Sequence, residues 1–195
     1  MNILIEPNLT EEAFEELLPK KLQSKSKCFF TPAEVAIEAA KWLSGKDKRK
    51  VLDIGAGVGK FCLFGARHTG AQFLGIEYRK ELVEIANSMF NLFGVKNARV
   101  IHKNIIDFDF SDFKAFYYYN PYGENLARHL RLDDSQTLSE RKYYLFMEYT
   151  LKELSKASRG TRLVTYYGSE MMLPQNYVCI KMFMHHNLKF WIKES

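Results

Sequence analysis

Two short stretches hold the residues whose types and spacing could do chemistry. The first, Asp53-Ile54-Gly55-Ala56-Gly57-Val58-Gly59-Lys60, sets an acid ahead of three alternating glycines. Glycines let backbone N–H groups approach an anion at a helix start, and a carboxylate beside them can accept from an ammonium group. A phosphate-cradling loop would need glycine at position 54 and a hydroxyl residue at 61, where Ile54 and Phe61 stand. A dinucleotide loop would need its third glycine at position 60, where Lys60 stands. The second stretch, Phe116 to Gly123, runs through four aromatic residues into Asn120-Pro121-Tyr122-Gly123. Its residues suit either a plain strand-to-loop turn or a group that orients a reacting substrate.

The elements that must position these residues alternate from position 50 onward. Lys50–Ile54, Ala71–Glu77, Ala98–His102, Ala115–Asn120 and Thr161–Gly168 are short apolar or aromatic runs of strand type. Leu82, Ile85, Ala86, Met89, Phe90 and Phe93 share one helical face, and Gly94 follows as a stop. Tyr144, Met147, Leu151 and Leu154 mark a later helix, and residues 177–183 and 188–193 read as a closing hairpin. Strand–helix alternation of this kind predicts an α/β fold: a three-layer Rossmann-like sandwich on a mostly parallel sheet of about seven strands, with a C-terminal antiparallel hairpin. Ligands of such sheets bind at the carboxyl ends of the strands, where Asp53, Glu77 and Asn120 fall. Upstream, Thr10 caps a helix reaching Leu18, with Phe14, Leu17 and Leu18 as its apolar face. Thr31 with Glu34 reads as a capping box, with Pro32 at the first helical position.

A length of 195 residues suits a single domain, with residues 1–49 as a helical extension packed on the core. The three cysteines form no C-x-x-C pair, which points to a reducing cytoplasm and away from a metal site. His185 and His186 are adjacent and are expected on opposite faces of a strand. No apolar run approaches the roughly 18–20 residues of a membrane span, so no membrane partner is expected. Net charge is +5, with basic clusters at Lys20, Lys21, Lys25 and Lys27, at residues 46–50, and at Arg128 and Arg131. Such clusters suit a solvated face or an acidic partner such as nucleic acid.

The run Val51–Phe61 resembles the first motif of the class I S-adenosylmethionine-dependent methyltransferases, and Gly75–Ala86 resembles their second. The resemblance implies S-adenosyl-L-methionine as cofactor. Its amino-acid end would lie on Gly55, Gly57 and Gly59 with Asp53 on the ammonium, and Glu77 would take the ribose hydroxyls. Tyr78 would pack on the adenine, with Asp107 accepting from the adenine amino group, Ile106 or Phe108 flanking the ring, and Asn104 among the cofactor-binding residues. Asn120-Pro121-Tyr122 is similar to the N-P-P-Y motif of amino methyltransferases, one proline short. The likeness implies Asn120 and Pro121 as the pair that orients an amine, Tyr122 as a substrate wall, and Thr31 against the cofactor's methionine part. It implies methyl transfer to an amine nitrogen of a protein lysine or a nucleic acid. A small-molecule methyltransferase and a non-catalytic cofactor-binding module stay as alternatives.

Overall fold

The computed structural model describes residues 8–126, 131–167 and 173–195. Seven strands form one sheet: β1 (Val51–Ile54), β2 (Phe73–Glu77), β3 (Ala98–His102), β4 (Ala115–Tyr118), β5 (Arg162–Tyr166), β6 (Tyr177–Phe183) and β7 (Leu188–Lys193). Their order is β3-β2-β1-β4-β5-β7-β6. The first five are mutually parallel, and β7 runs antiparallel to both β5 and β6. The expected Rossmann-like sheet with its antiparallel end is therefore present. The order reverses between β1, which is followed by β2, and β4, so the loops after β1 and β4 face each other across the switch point.

Helices α4 (Ala33–Ser44), α5 (Lys60–Thr69) and α6 (Lys80–Leu92) pack on one face, and α7 (Glu140–Lys156) on the other. Period-two alternation sorts the aromatic run of β4 between these layers. Tyr117 joins the core beneath α4 and α5, whereas Phe116 and Tyr118 join the core beneath α7. On α6 the predicted stripe is buried at Leu82, Ala86, Met89, Phe90 and Phe93. Arg128, in one of the basic clusters, and the end of the strand expected through Gly168 lie outside the described residues.

The N-terminal region holds more structure than its sequence pattern suggests. Helix α1 (Glu11–Leu17) starts where expected, with Thr10 Oγ1 accepting from the N–H of Ala13 at 3.1 Å. Leu17 faces solvent, leaving Phe14 and Leu18 as the buried anchors. Two four-residue helices follow, α2 (Lys20–Gln23) and α3 (Ser26–Phe29), in a basic stretch with no readable apolar period. The capping box at α4 does not form. Thr31 Oγ1 instead meets the Tyr117 hydroxyl at 3.0 Å, and Glu11 reaches across from α1 to accept from the N–H of Ala33 at 3.2 Å. A distant carboxylate thus replaces the local cap. His185 and His186 are likewise not strand residues: with Met184 they make a turn between β6 and β7 in which all three have left-handed φ.

Glu11 and Glu15 also close on Lys60, whose ammonium lies 2.5 and 2.7 Å from them and is 2% exposed. Ser26 donates its hydroxyl to the same Glu15 carboxylate. Lys60 and Ser26 draw the Glu15 carboxyl below its usual range against the opposing effect of partial burial. Removing one side of a buried pair strands the other charge, which costs about 3–5 kcal/mol, whereas an apolar replacement of the buried partner can be near neutral. The Glu11→Ala/Glu15→Ala double variant should therefore lose about 3 kcal/mol, the low end because both acids are partly exposed. Lys60→Met should lose much less, and urea unfolding of the two proteins measures the difference.

Candidate functional site

The carboxyl ends of β1, β2 and β4 open into one cleft, lined by Gly55, Gly57, Glu77, Tyr78, Asn104 and Asn120–Asn125 among others. A smaller recess beside it is bounded by Thr31, Asp53, Gly57, Lys60, Phe61 and Tyr117. Positive φ at Gly55, Gly57 and Gly59 lets the chain turn three times within five residues on its way from β1 into α5.

The glycines do different jobs. At Gly55 an added Cβ would lie 2.3 Å from Pro121 Cβ, so its missing side chain lets the loop after β4 settle onto the loop after β1. Gly59 is buried under Ala86 and Phe90 of α6, where a Cβ would come within 2.9 and 2.8 Å of their side chains. It serves helix packing and lies away from the cleft. The loop amides are also committed: Gly55 and Ala56 donate to the Ile76 carbonyl, and Gly59 donates to Ala56. Gly57 donates to Glu77 Oε2 at 2.9 Å. An anion at this end would therefore meet the first-turn amides of α5 instead.

Glu77 is the floor of the cleft. Besides Gly57, it accepts from the backbone N–H of Arg79 through Oε1 at 2.8 Å. Burial pushes its carboxyl up, while Arg79 and the backbone donors pull it down. Each carboxylate oxygen keeps a further lone pair, so two ribose hydroxyls can still be bound. Asp53, 3% exposed, stands in the smaller recess. Burial raises its carboxyl to about 7, helped by the Glu77 charge and opposed by the Cys62 thiol, which donates to Oδ2 at 3.5 Å. A buried acid without a cationic partner is suited to an incoming ammonium. These two carboxylates, the hydroxyl of Thr31 and the exposed ring of Tyr78 fit the parts of S-adenosylmethionine.

The end of β3 is arranged differently from the expectation. Asn104 lines the cleft and accepts from the Ile106 N–H. Ile105, buried in the single 3₁₀ turn Ile105–Asp107, lines the cleft next to it. Asp107 is exposed and, with Ile106, lies off the cleft lining. The tight turn rotates those two side chains away and brings Ile105 inward, a shift of one residue that composition does not signal.

Asn120 sits exposed at the lip with φ +35, a conformation few residues other than glycine adopt. Its carbonyl accepts from the Gly123 N–H at 3.2 Å. Its side-chain amide lies over Gly123, within 2.5 Å of where a Cβ would be, and makes no hydrogen bond among the described residues. Tyr122 is mostly core: its hydroxyl meets Thr150 Oγ1 at 2.7 Å, its ring packs on Tyr118 and Phe146, and only an edge reaches the cleft.

Sequence reasoning missed the brace behind the floor. The guanidinium of Arg79 holds Glu124 at 2.8 Å and Asp133 at 3.3 Å, and Glu124 also accepts from the Leu132 N–H. The loop after β4 is thereby drawn over the cleft. Phe30 was missed as well; it lies within 3.5 Å of a Cβ built on Gly57 and forms a wall of the recess. The only sequence signals were an arginine two residues after the strand-end acid and a glutamate after Gly123.

Residues 45–119 match the family model described as "Methyltransferase domain". A search of curated proteins found no match. Among solved structures, an RNA methyltransferase from Salinibacter ruber in complex with S-adenosyl-L-homocysteine is 18% identical, with a TM-score of 0.57 over 85% of this chain and 94% of that one. The putative methyltransferase yhhF from Escherichia coli is 15% identical, with a TM-score of 0.58 over 85% of this chain and 87% of that one. A SAM-dependent O-methyltransferase from Thermotoga maritima is 15% identical, with a TM-score of 0.55 over 92% and 73%. At these identities the likeness is one of fold. A methyltransferase domain is thus matched over residues 45–119, around a cleft whose residues fit S-adenosylmethionine.

Proposed function

We propose that the protein methylates an amine nitrogen of a macromolecule, a protein or a nucleic acid, with Asn120 as the orienting group. The carrying observation is the state of the groups around Asn120. The cleft's carboxylates are committed, Glu77 to two backbone N–H groups and Glu124 to Arg79 and Leu132. No histidine lines the cleft among the described residues. A hydroxyl acceptor needs a base to become a nucleophile, whereas a neutral amine carries its own lone pair and needs only alignment. Asn120 offers an unengaged amide oxygen at the lip, held by its backbone geometry and by Pro121 against Gly55.

S-adenosylmethionine, when bound, supplies a methyl group on a sulfonium. Asp53 would take its ammonium, the first-turn amides of α5 its carboxylate, and Glu77 its ribose. Asn120 Oδ1 accepts from an N–H of the acceptor and turns the lone pair toward the methyl carbon. Transfer would form the nitrogen–carbon bond as the sulfur–carbon bond broke to leave a neutral thioether, and the surplus proton on nitrogen would pass to water. Tyr78, Ile105 and Phe30 shield the reacting centre from solvent.

Three outcomes test this reading. Asn120→Ala should lower kcat about a hundredfold, the scale of losing alignment, while the cofactor dissociation constant measured by calorimetry stays put; wild-type turnover would sink the role given to Asn120. Glu77→Ala should raise the cofactor dissociation constant about 10- to 100-fold, the loss of hydrogen bonds to a charged acceptor, so that KM for the cofactor rises with little change in kcat. The Asp53 carboxyl, raised to about 7, must lose its proton to pair with the ammonium. Cofactor affinity should accordingly be full above pH 7 and fall as pH drops, approaching about tenfold per unit, and Asp53→Asn should bind more weakly with this slope flattened.

A further inference from the structure

Three tyrosines from neighbouring strand ends meet in one cluster, of which Tyr119 adjoins Asn120 in the chain and lines the cleft. Tyr119 follows β4, Tyr166 closes β5, and Tyr167 comes next in the chain. The Tyr119 ring lies 4.8 Å from that of Tyr166 and 6.1 Å from that of Tyr167, and the latter two are 4.6 Å apart between centroids. The Tyr119 hydroxyl donates to the Cys28 carbonyl at 3.1 Å, which fixes its ring where the cleft and the recess meet. Tyr166 is buried, but Tyr167 is 55% exposed.

Tyr167 is also strained. Its φ is +52, in the left-handed region, which costs a bulky residue of order 1–3 kcal/mol. It is held there by its N–H, which donates to the Asn187 carbonyl of the β6–β7 turn at 2.9 Å. A ring this exposed gains little from packing, so the strained backbone serves to present an aromatic face next to Tyr119.

The charges around the cluster indicate what that face meets. Glu34, in the first turn of α4, is exposed, makes no hydrogen bond or ion pair among the described residues, and stands close enough to Tyr166 to help raise its phenol. Among the described residues, the cations lining the cleft are Arg79, Lys103 and Lys142: Arg79 is paired with Glu124 and Asp133, Lys142 donates to the Thr137 carbonyl, and Lys103 lies over the Phe108 ring. A nucleic acid brings phosphates that seek free lysine and arginine, whereas an ammonium seeks aromatic faces and an acid. We infer that Tyr119, Tyr166, Tyr167 and Glu34 form the acceptor subsite, and that it takes the alkylammonium side chain of a protein lysine. The assignment rests on the amine reading above and names its substrate class. Glu34 draws the ammonium to the mouth, the tyrosine faces strip its water, and its proton passes to solvent water there, so that the nitrogen reaches Asn120 as the free amine.

Transfer of labelled methyl groups to poly-L-lysine and to total RNA tests the assignment. Label should enter poly-L-lysine. Tyr167→Ala and Glu34→Gln should each raise KM for the polymer about tenfold, within the range of a desolvated cation–π contact, with the cofactor dissociation constant unchanged. Tyr167→Phe, which keeps the ring, should retain wild-type KM. Label in RNA alone, label in neither polymer, or unchanged KM in both Tyr167→Ala and Glu34→Gln overturns the lysine subsite. Loss of turnover in Asn120→Ala alongside such a result leaves the amine reading standing and removes only the subsite, whereas an active Asn120→Ala enzyme removes the amine reading itself.

Discussion

One buried carboxylate ties the site together. Glu77 sits at the end of β2 and accepts from the amide of Gly57 on one side and that of Arg79 on the other. The first bond sets the curvature of the glycine loop, so the entry into α5 depends on a side chain from the neighbouring strand. The second sets the start of α6 and aims the Arg79 guanidinium at Glu124 and Asp133. That arginine in turn braces the loop after β4. The floor, the loop and the cover of the cleft are therefore one connected hydrogen-bonded set, and a bound ribose would add to it rather than replace any part.

A second dependence runs through packing. Gly55 and Pro121 touch because one has no side chain and the other has a rigid ring. The contact couples the two loops that flank the switch point of the sheet, and it sets Asn120 above the glycine turn. The unusual φ of Asn120 follows from this fit: the chain must turn sharply after β4 to lay Pro121 down, and asparagine tolerates that turn better than most residues.

The parts legible in the sequence were those set by period and by residue type. β3, β6 and β7 coincide with their predicted runs, and the face-splitting of Phe116, Tyr117 and Tyr118 follows from alternation. Asp53, Glu77 and Asn120 fall on one edge because the parallel strands β1, β2 and β4 all point their carboxyl ends there. What stayed hidden depends on contacts between residues far apart in the chain. The bond from Glu11 to the α4 start spans 22 positions, and Arg79 meets Glu124 across 45. The inward turn of Ile105 in place of Asp107 depends on a single 3₁₀ turn, which no periodicity marks.

The Lys60 cluster bears on where the working unit begins. The matched domain starts at residue 45, yet the lysine that opens its cofactor helix is neutralised by residues 11 and 15. A fragment cut at the boundary of sequence similarity would carry an unpaired cation into the wall of its own binding recess, and would lack Phe30 and Thr31 from that wall as well. The segment before residue 45 therefore supplies part of the wall of the recess and the partners of the lysine within it.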